Sequence, residues 1–134
     1  MSDINHQDGE GKTKLQRAAW DGHYEEVTRL LERGADVNIR DRAGWTGVME
    51  AAYRGHGDIV QSLHQAGADI NSRSNDGATA VMWAAYRGHG DIVQYLHQAG
   101  ADINVSKNGW TAVMNAAHMG HGNIVQYLRS AGAK

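Results

Sequence analysis

Four glycines, Gly11, Gly44, Gly77 and Gly109, divide the chain into steps of 33, 33 and 32 residues, and three further signals keep the same register. An Ala-Ala pair follows each glycine, at Ala18-Ala19, Ala51-Ala52, Ala84-Ala85 and Ala116-Ala117. A Gly-His dipeptide follows each pair, at Gly22-His23, Gly55-His56, Gly88-His89 and Gly120-His121. Gly-Ala-Asp then recurs at Gly34, Gly67 and Gly100, fading to Gly132-Ala133-Lys134. A period of this length marks one supersecondary unit copied along the chain, which constrains the fold more than any local propensity.

Each unit reads as two short helices. Thr46 is the expected N-cap of the first, its hydroxyl accepting from an orphan backbone N–H. Val48, Ala51 and Ala52 share the apolar face of that helix, and Gly55 supplies a left-handed stop. Asp58 suits the positive end of the second helix, Ile59, Val60 and Leu63 form its apolar stripe, and Gly67 ends it. A pair of two-turn helices cannot bury enough surface to offset its own ordering entropy. Stacked copies share one continuous core, so function is expected on a face of the array rather than in an enclosed pocket.

These residues resemble the ankyrin repeat. Asp41, Gly44, Thr46, Ala51, Ala52, Gly55, His56, Ile59, Val60, Leu63, Gly67, Ala68, Asp69 and Asn71 match its pattern, and the likeness runs from about Gly11 to Ala133. The resemblance implies an all-α fold, an ankyrin-repeat α-solenoid of stacked helix-turn-helix units joined by β-turn loops. Repeats are expected over about 11–40, 41–73, 74–105 and 106–134, behind a flexible polar leader at 1–10. The usual role of such arrays is recognition of a protein or peptide through the concave face made by the first helices and β-turn tips.

The chain also departs from the family pattern. Thr-Pro-Leu-His becomes Thr13-Lys14-Leu15-Gln16, Thr46-Gly47-Val48-Met49, Thr79-Ala80-Val81-Met82 and Thr111-Ala112-Val113-Met114. Proline at a first helical position is pre-organised and sacrifices no hydrogen bond. Its loss, with His64, His97 and Arg129 where a third leucine often stands, points to repeats less stable than a family consensus. Gly47–Asn71 and Ala80–Asn104 differ only at Gly47/Ala80, Glu50/Trp83 and Ser62/Tyr95, as either duplication or deliberate design would produce.

Carried onto this chain, the family's recognition surface gathers all four tryptophans. Trp45 and Trp110 follow turn glycines, Trp20 follows an Ala-Ala pair and Trp83 precedes one. Tyr53-Arg54, Tyr86-Arg87 and His118-Met119 hold the corresponding pair positions. Trp, Tyr and Arg dominate interface energetics because they desolvate large area with few rotors. Packing against the neighbouring repeat is the alternative for these rings, most of all for Trp83. Tyr95 and Tyr127, on second helices, are expected to pack. Arg54 and Arg87 are placed either to grip a carboxylate or to stack on the tyrosines.

Other chemistry is not expected. A formal charge of −2 predicts no electrostatic grip on nucleic acid, and apolar runs of a few residues predict no membrane span. No cysteine is present, which removes disulfides and thiolate ligands, and the polar N-terminus lacks a signal peptide's apolar region. A cytoplasmic or otherwise intracellular setting is expected. His23, His56, His89 and His121 repeat at about 10 Å if helices pack normally, too far apart to share a metal with ligands at about 2 Å. They are expected to hydrogen-bond within the turn before the second helix. No cofactor motif and no catalytic motif occurs. Asn38, Asn71 and Asn104 resemble the sites that asparaginyl hydroxylases modify in ankyrin repeats. A scaffold without a dedicated partner, or an array that weakly self-associates from a monomer, are the competing readings.

Overall fold

The computed structural model describes residues 3–134, and Met1 and Ser2 lie outside it. Eight helices follow in order: α1 (Lys14–Asp21), α2 (Tyr24–Glu32), α3 (Gly47–Arg54), α4 (Gly57–Gln65), α5 (Ala80–Arg87), α6 (Gly90–Gln98), α7 (Ala112–His118) and α8 (Gly122–Ser130). No strand occurs among the described residues; a single antiparallel bridge joins Lys107 to Trp110. The odd-numbered helices stack side by side in one layer and the even-numbered ones form a looser second layer. Ala19, Ala51, Ala52, Ala84, Ala85 and Ala116 are fully buried, and their small side chains let the first layer close up. Val27, Leu30, Ile59, Val60, Leu63, Val93, Leu96 and Leu128 fill the space between layers.

Gly55 shows why the register glycines are needed. Its φ is +84°, which closes α3 in the left-handed conformation, and an added Cβ would lie 2.7 Å from His89 Cε1. The histidine ring of each next repeat thus slides over the glycine notch. The sequence led to the expectation that the register histidines bond within their own turn, and that expectation is corrected. Instead His56 Nε2 meets the Trp20 carbonyl at 3.1 Å, His89 that of Tyr53 at 3.0 Å, and His121 that of Tyr86 at 3.1 Å. Each ring donates to a last-turn carbonyl of the preceding first helix, a group the helix itself leaves unpaired. The local turn has no acceptor to offer; the neighbouring repeat does.

The N-caps also divide. Thr13 forms a capping box, its hydroxyl accepting from Gln16 N at 3.2 Å while its own N–H donates to Gln16 Oε1 at 2.9 Å. Thr46, Thr79 and Thr111 make no such bond, and their buried Oγ1 atoms find no partner. Met49, Met82 and Met114 replace the reciprocating Gln16, and the threonine backbone opens from φ −88° at Thr13 to between −97° and −112°. The expectation for Thr46 is therefore corrected: a cap residue alone does not make the box.

His64 and His97 acquire partners that sequence reasoning did not give them. Tyr95 Oη lies 2.8 Å from His64 Nδ1, and Tyr127 Oη 2.8 Å from His97 Nδ1, each pair edge-to-face across a repeat junction. Residues 3–10 also differ from a flexible leader. Ile4 packs on the core, Asn5 Oδ1 accepts from Asp36 N at 2.9 Å, and Gln7 Nε2 donates to the Arg40 carbonyl at 3.0 Å. Asp3-Ile4-Asn5 stands 33 residues before Asp36-Val37-Asn38 and makes the same side-chain bonds. Asn38 and Asn71 continue this ladder, accepting from Asp69 N and Asp102 N at 2.8 Å.

Candidate functional site

The exposed flank of the first layer is a grid of four register rows. Lys12, Trp45, Ala78 and Trp110 hold one row; Arg17, Glu50, Trp83 and Asn115 the second; Trp20, Tyr53, Tyr86 and His118 the third; Asp21, Arg54, Arg87 and Met119 the fourth. Stacking brings the first row of each repeat diagonally against the second row of the next.

Between the first and second repeats that diagonal is ionic. Lys12 Nζ sits 2.6 Å from Glu50 Oε1 and 2.6 Å from Asp41 Oδ2, with both carboxylate side chains 3% exposed. Burial holds the Glu50 carboxyl above its ordinary range, because Lys12 offsets only part of the lost hydration. Burial also acts to lower Lys12, but the hydrogen bonds to Asp41 and Glu50 outweigh it and hold the ammonium above its ordinary range. Asp41 Oδ1 also accepts from Ala43 N and Trp45 N at 2.9 Å, tying this cluster to the turn that carries Trp45.

Between the second and third repeats the same diagonal is aromatic. Trp45 and Trp83 have ring centroids 5.1 Å apart, and Tyr53 presents to both, at 5.7 Å from Trp45 and 5.5 Å from Trp83. Trp20 stacks on Tyr53 at 5.7 Å with planes 15° apart, and Tyr86 meets Trp83 edge-on at 6.2 Å. Five rings from three repeats thus form one continuous, half-buried strip. Trp83 is the most committed to packing; its Nε1 is buried without an acceptor. An open groove of about 450 Å³ runs along the strip, with Lys12, Asp41 and Glu50 at one end.

Between the third and fourth repeats the diagonal pairs Ala78 with Asn115, and a cleft of about 270 Å³ opens there beside Trp83, Tyr86 and Lys107. Lys107 Nζ lies 5.3 Å from the Trp83 ring centroid and 2.8 Å from Asp76 Oδ2. That contact holds the Asp76 carboxyl below its ordinary range, with help from the Ser74 hydroxyl. The turn beneath differs too. The preceding turns close Asp41 N to the Trp45 carbonyl over three intervening residues, whereas Lys107 and Trp110 exchange two bonds across Asn108-Gly109. Asn108 takes φ 52° and Gly109 φ 84°, a two-residue hairpin that accounts for the 32-residue step.

The fourth row stacks in the opposite sense. The Arg54 guanidinium carbon lies 4.8 Å from the Trp20 ring centroid, and that of Arg87 lies 4.6 Å from the Tyr53 centroid. Each arginine covers a ring of the preceding repeat rather than the tyrosine beside it. Trp110 stands apart from the strip, 44% exposed and edge-on to His118 at 5.4 Å, and Met119 is 42% exposed. The ten residues expected at this face are thus divided. Seven form one patch, while Trp110, His118 and Met119 form a separate exposed group on the last repeat. Sequence reasoning missed Lys12, Lys107 and the burial of Glu50, which is 2% exposed. The available signal was register: Lys12 occupies the row of Trp45, and Glu50 the row of Trp83.

Among the described residues no three His, Asp or Glu side chains converge as a metal site, and no helix is long and apolar enough to cross a membrane. The layered pairs and cross-repeat ladders define an α-solenoid built from stacked helix-turn-helix units. Models of ankyrin repeats match residues 15–64 and 48–134, and the chain belongs to the ankyrin repeat family. No curated protein matches the chain. Ankyrin repeats are generally protein-interaction modules and are typically non-enzymatic.

Proposed function

We propose that this chain binds a protein or peptide partner through the aromatic strip on the first three repeats. The observation that carries this reading is the continuity of Trp20, Tyr53, Trp45, Trp83 and Tyr86 along an open groove. Rings held against one another lose little further rotamer freedom on binding, so the area they bury converts efficiently into affinity. The groove's polar end, Lys12 with its carboxylates, and the two arginines stacked on Trp20 and Tyr53 give the rim that specific interfaces carry around an apolar centre.

A displayed peptide library selected on the whole chain tests this. Ligands selected by the wild type are expected to lose binding at least tenfold on the Tyr53→Ala/Trp45→Ala double variant, with helical circular dichroism retained, and little on Trp110→Ala. Selected ligands that bind the double variant unchanged place the recognition surface elsewhere. Loss through Trp110→Ala alone moves it to the last repeat.

A further inference from the structure

We propose that Arg54 and Arg87 are paired carboxylate receptors for an acidic segment in polyproline II conformation, with its acidic residues three apart. The inference deepens the peptide-binding reading above and rests on it.

Both arginines are exposed, and neither makes a hydrogen bond or ion pair among the described residues. The other cations around the strip are already matched: Lys12 by Asp41 and Glu50, Lys107 by Asp76, and Arg17 by Asp8 and Glu10. Arg54 and Arg87 are instead fixed through their faces, against Trp20 and Tyr53. Stacking consumes the face of a guanidinium and leaves its in-plane N–H fork available, the edge that takes a carboxylate bidentately. It also removes rotamer freedom beforehand, so less is lost when a carboxylate docks.

The row bounds the site. Asp21 occupies the same register on the first repeat and repels an acidic ligand there, while Met119 offers no charge on the fourth. Asp41 and Glu50 also face the groove, but both are bridged to Lys12. Two receptors therefore stand on adjacent repeats, spaced by the helix packing distance of about 10 Å. A polyproline II segment has three residues per turn and rises about 3.1 Å per residue, so side chains at i and i+3 share a face about 9.3 Å apart. A β-strand does not fit, because residues three apart point to opposite faces. Arg87 covers the Tyr53 ring, which in turn contacts Trp45 and Trp83, so the receptors border an aromatic groove of the kind that takes proline-rich segments.

Calorimetric titration of the full chain tests the assignment with synthetic peptides containing Glu-Pro-Pro-Glu, Gln-Pro-Pro-Gln, Lys-Pro-Pro-Lys or Glu-Glu-Pro-Pro. The Glu-Pro-Pro-Glu peptide is expected to bind, at least tenfold tighter than the other three, and more weakly as salt rises. Arg54→Gln and Arg87→Gln should each weaken it several-fold, and the double variant should abolish binding with circular dichroism unchanged. Arg54→Lys/Arg87→Lys, which keeps the charge and loses the planar fork, should fall between. No saturation by about 1 mM, equal binding of the Gln or Lys peptide, or indifference to the double glutamine variant overturns the inference. If the acidic peptide fails while library ligands still require Trp45 and Tyr53, only the acidic assignment falls. If those ligands do not require the strip either, the peptide-binding reading falls with it.

Discussion

The first and second repeat junctions place different chemistry at one geometric position. At the first, Lys12 meets Glu50; at the second, Trp45 meets Trp83. The outer seam differs in parallel, since His64 meets Tyr95 at the second junction whereas Leu31 and Ser62 hold those positions at the first. Both contacts join the same pair of register rows, so a diagonal contact in this solenoid accepts either an ion pair or a ring pair. What changes is how each responds to loss of one member. A buried ion pair leaves an uncompensated charge, while a ring pair leaves only a partly filled gap.

The largest effect is therefore expected at the first junction. Lys12→Met leaves Asp41 and Glu50 buried without their cation, and should cost about 3 kcal/mol in urea unfolding. Lys12→Met/Glu50→Met should recover most of that loss, because the unpaired Glu50 charge is removed along with its partner. A double variant as unstable as the single one would mean that the cluster stabilises through Asp41 alone.

Titration sharpens the same contrast. The Glu50 carboxyl is held above its ordinary value near 4.5 in the folded chain. The stability it confers is fully present below the unfolded value and is lost as pH rises through the folded one. Glu50→Gln cannot ionise, so its melting temperature relative to wild type should climb from pH 4 to pH 7. A difference that stays flat or falls over that range would show that Lys12 fully offsets the burial. Lys12 follows the same sense at higher pH: its contribution persists below about 10.5 and disappears as pH passes its raised folded value.

The second junction should answer more quietly. Tyr95→Phe removes the hydroxyl that meets His64 and keeps the edge-to-face packing, for an expected loss of about 1 kcal/mol in thermal unfolding. An unchanged melting temperature would mean that water replaces the hydroxyl without cost. Smallest of all, Met49→Gln transplants the capping box of α1 onto α3. It should satisfy the Thr46 hydroxyl and stabilise by about 0.5 kcal/mol, read as a shift in the urea midpoint. Destabilisation instead would show that burying the amide outweighs the cap.

Much of this was legible in the primary structure, and most of the illegible part has one cause. Periodicity places the helices, the notch glycines and the two-layer stack, since every copy repeats the same short-range pattern. It also carries the rings to one face. What sequence reasoning lacked lies one repeat away. The register histidines, expected to bond within their own turn, reach the preceding repeat's carbonyl; His64 and His97, given no partner, reach the following tyrosine; and Arg54 covers Trp20, where only tyrosines were considered. Within-unit spacing follows from chain geometry, but the offset between neighbouring units is set only by packing. Thr46 fails for a different reason, since its hydroxyl needed the reciprocating side chain that Met49 lacks. Asp3-Ile4-Asn5 lies before the first turn glycine, and only the Asp-x-Asn step relates it to Asp36-Val37-Asn38.

The histidine seam carries a consequence of its own. His56, His89 and His121 each present Nε2 to a backbone carbonyl, which can only accept. The bond therefore requires a hydrogen on Nε2, so each junction fixes which edge its ring turns toward the repeat before it. Gly22, Gly55 and Gly88 leave no room for a Cβ beneath those rings, so notch and ring can change only together, and the seam ties each repeat to its neighbour rather than to itself.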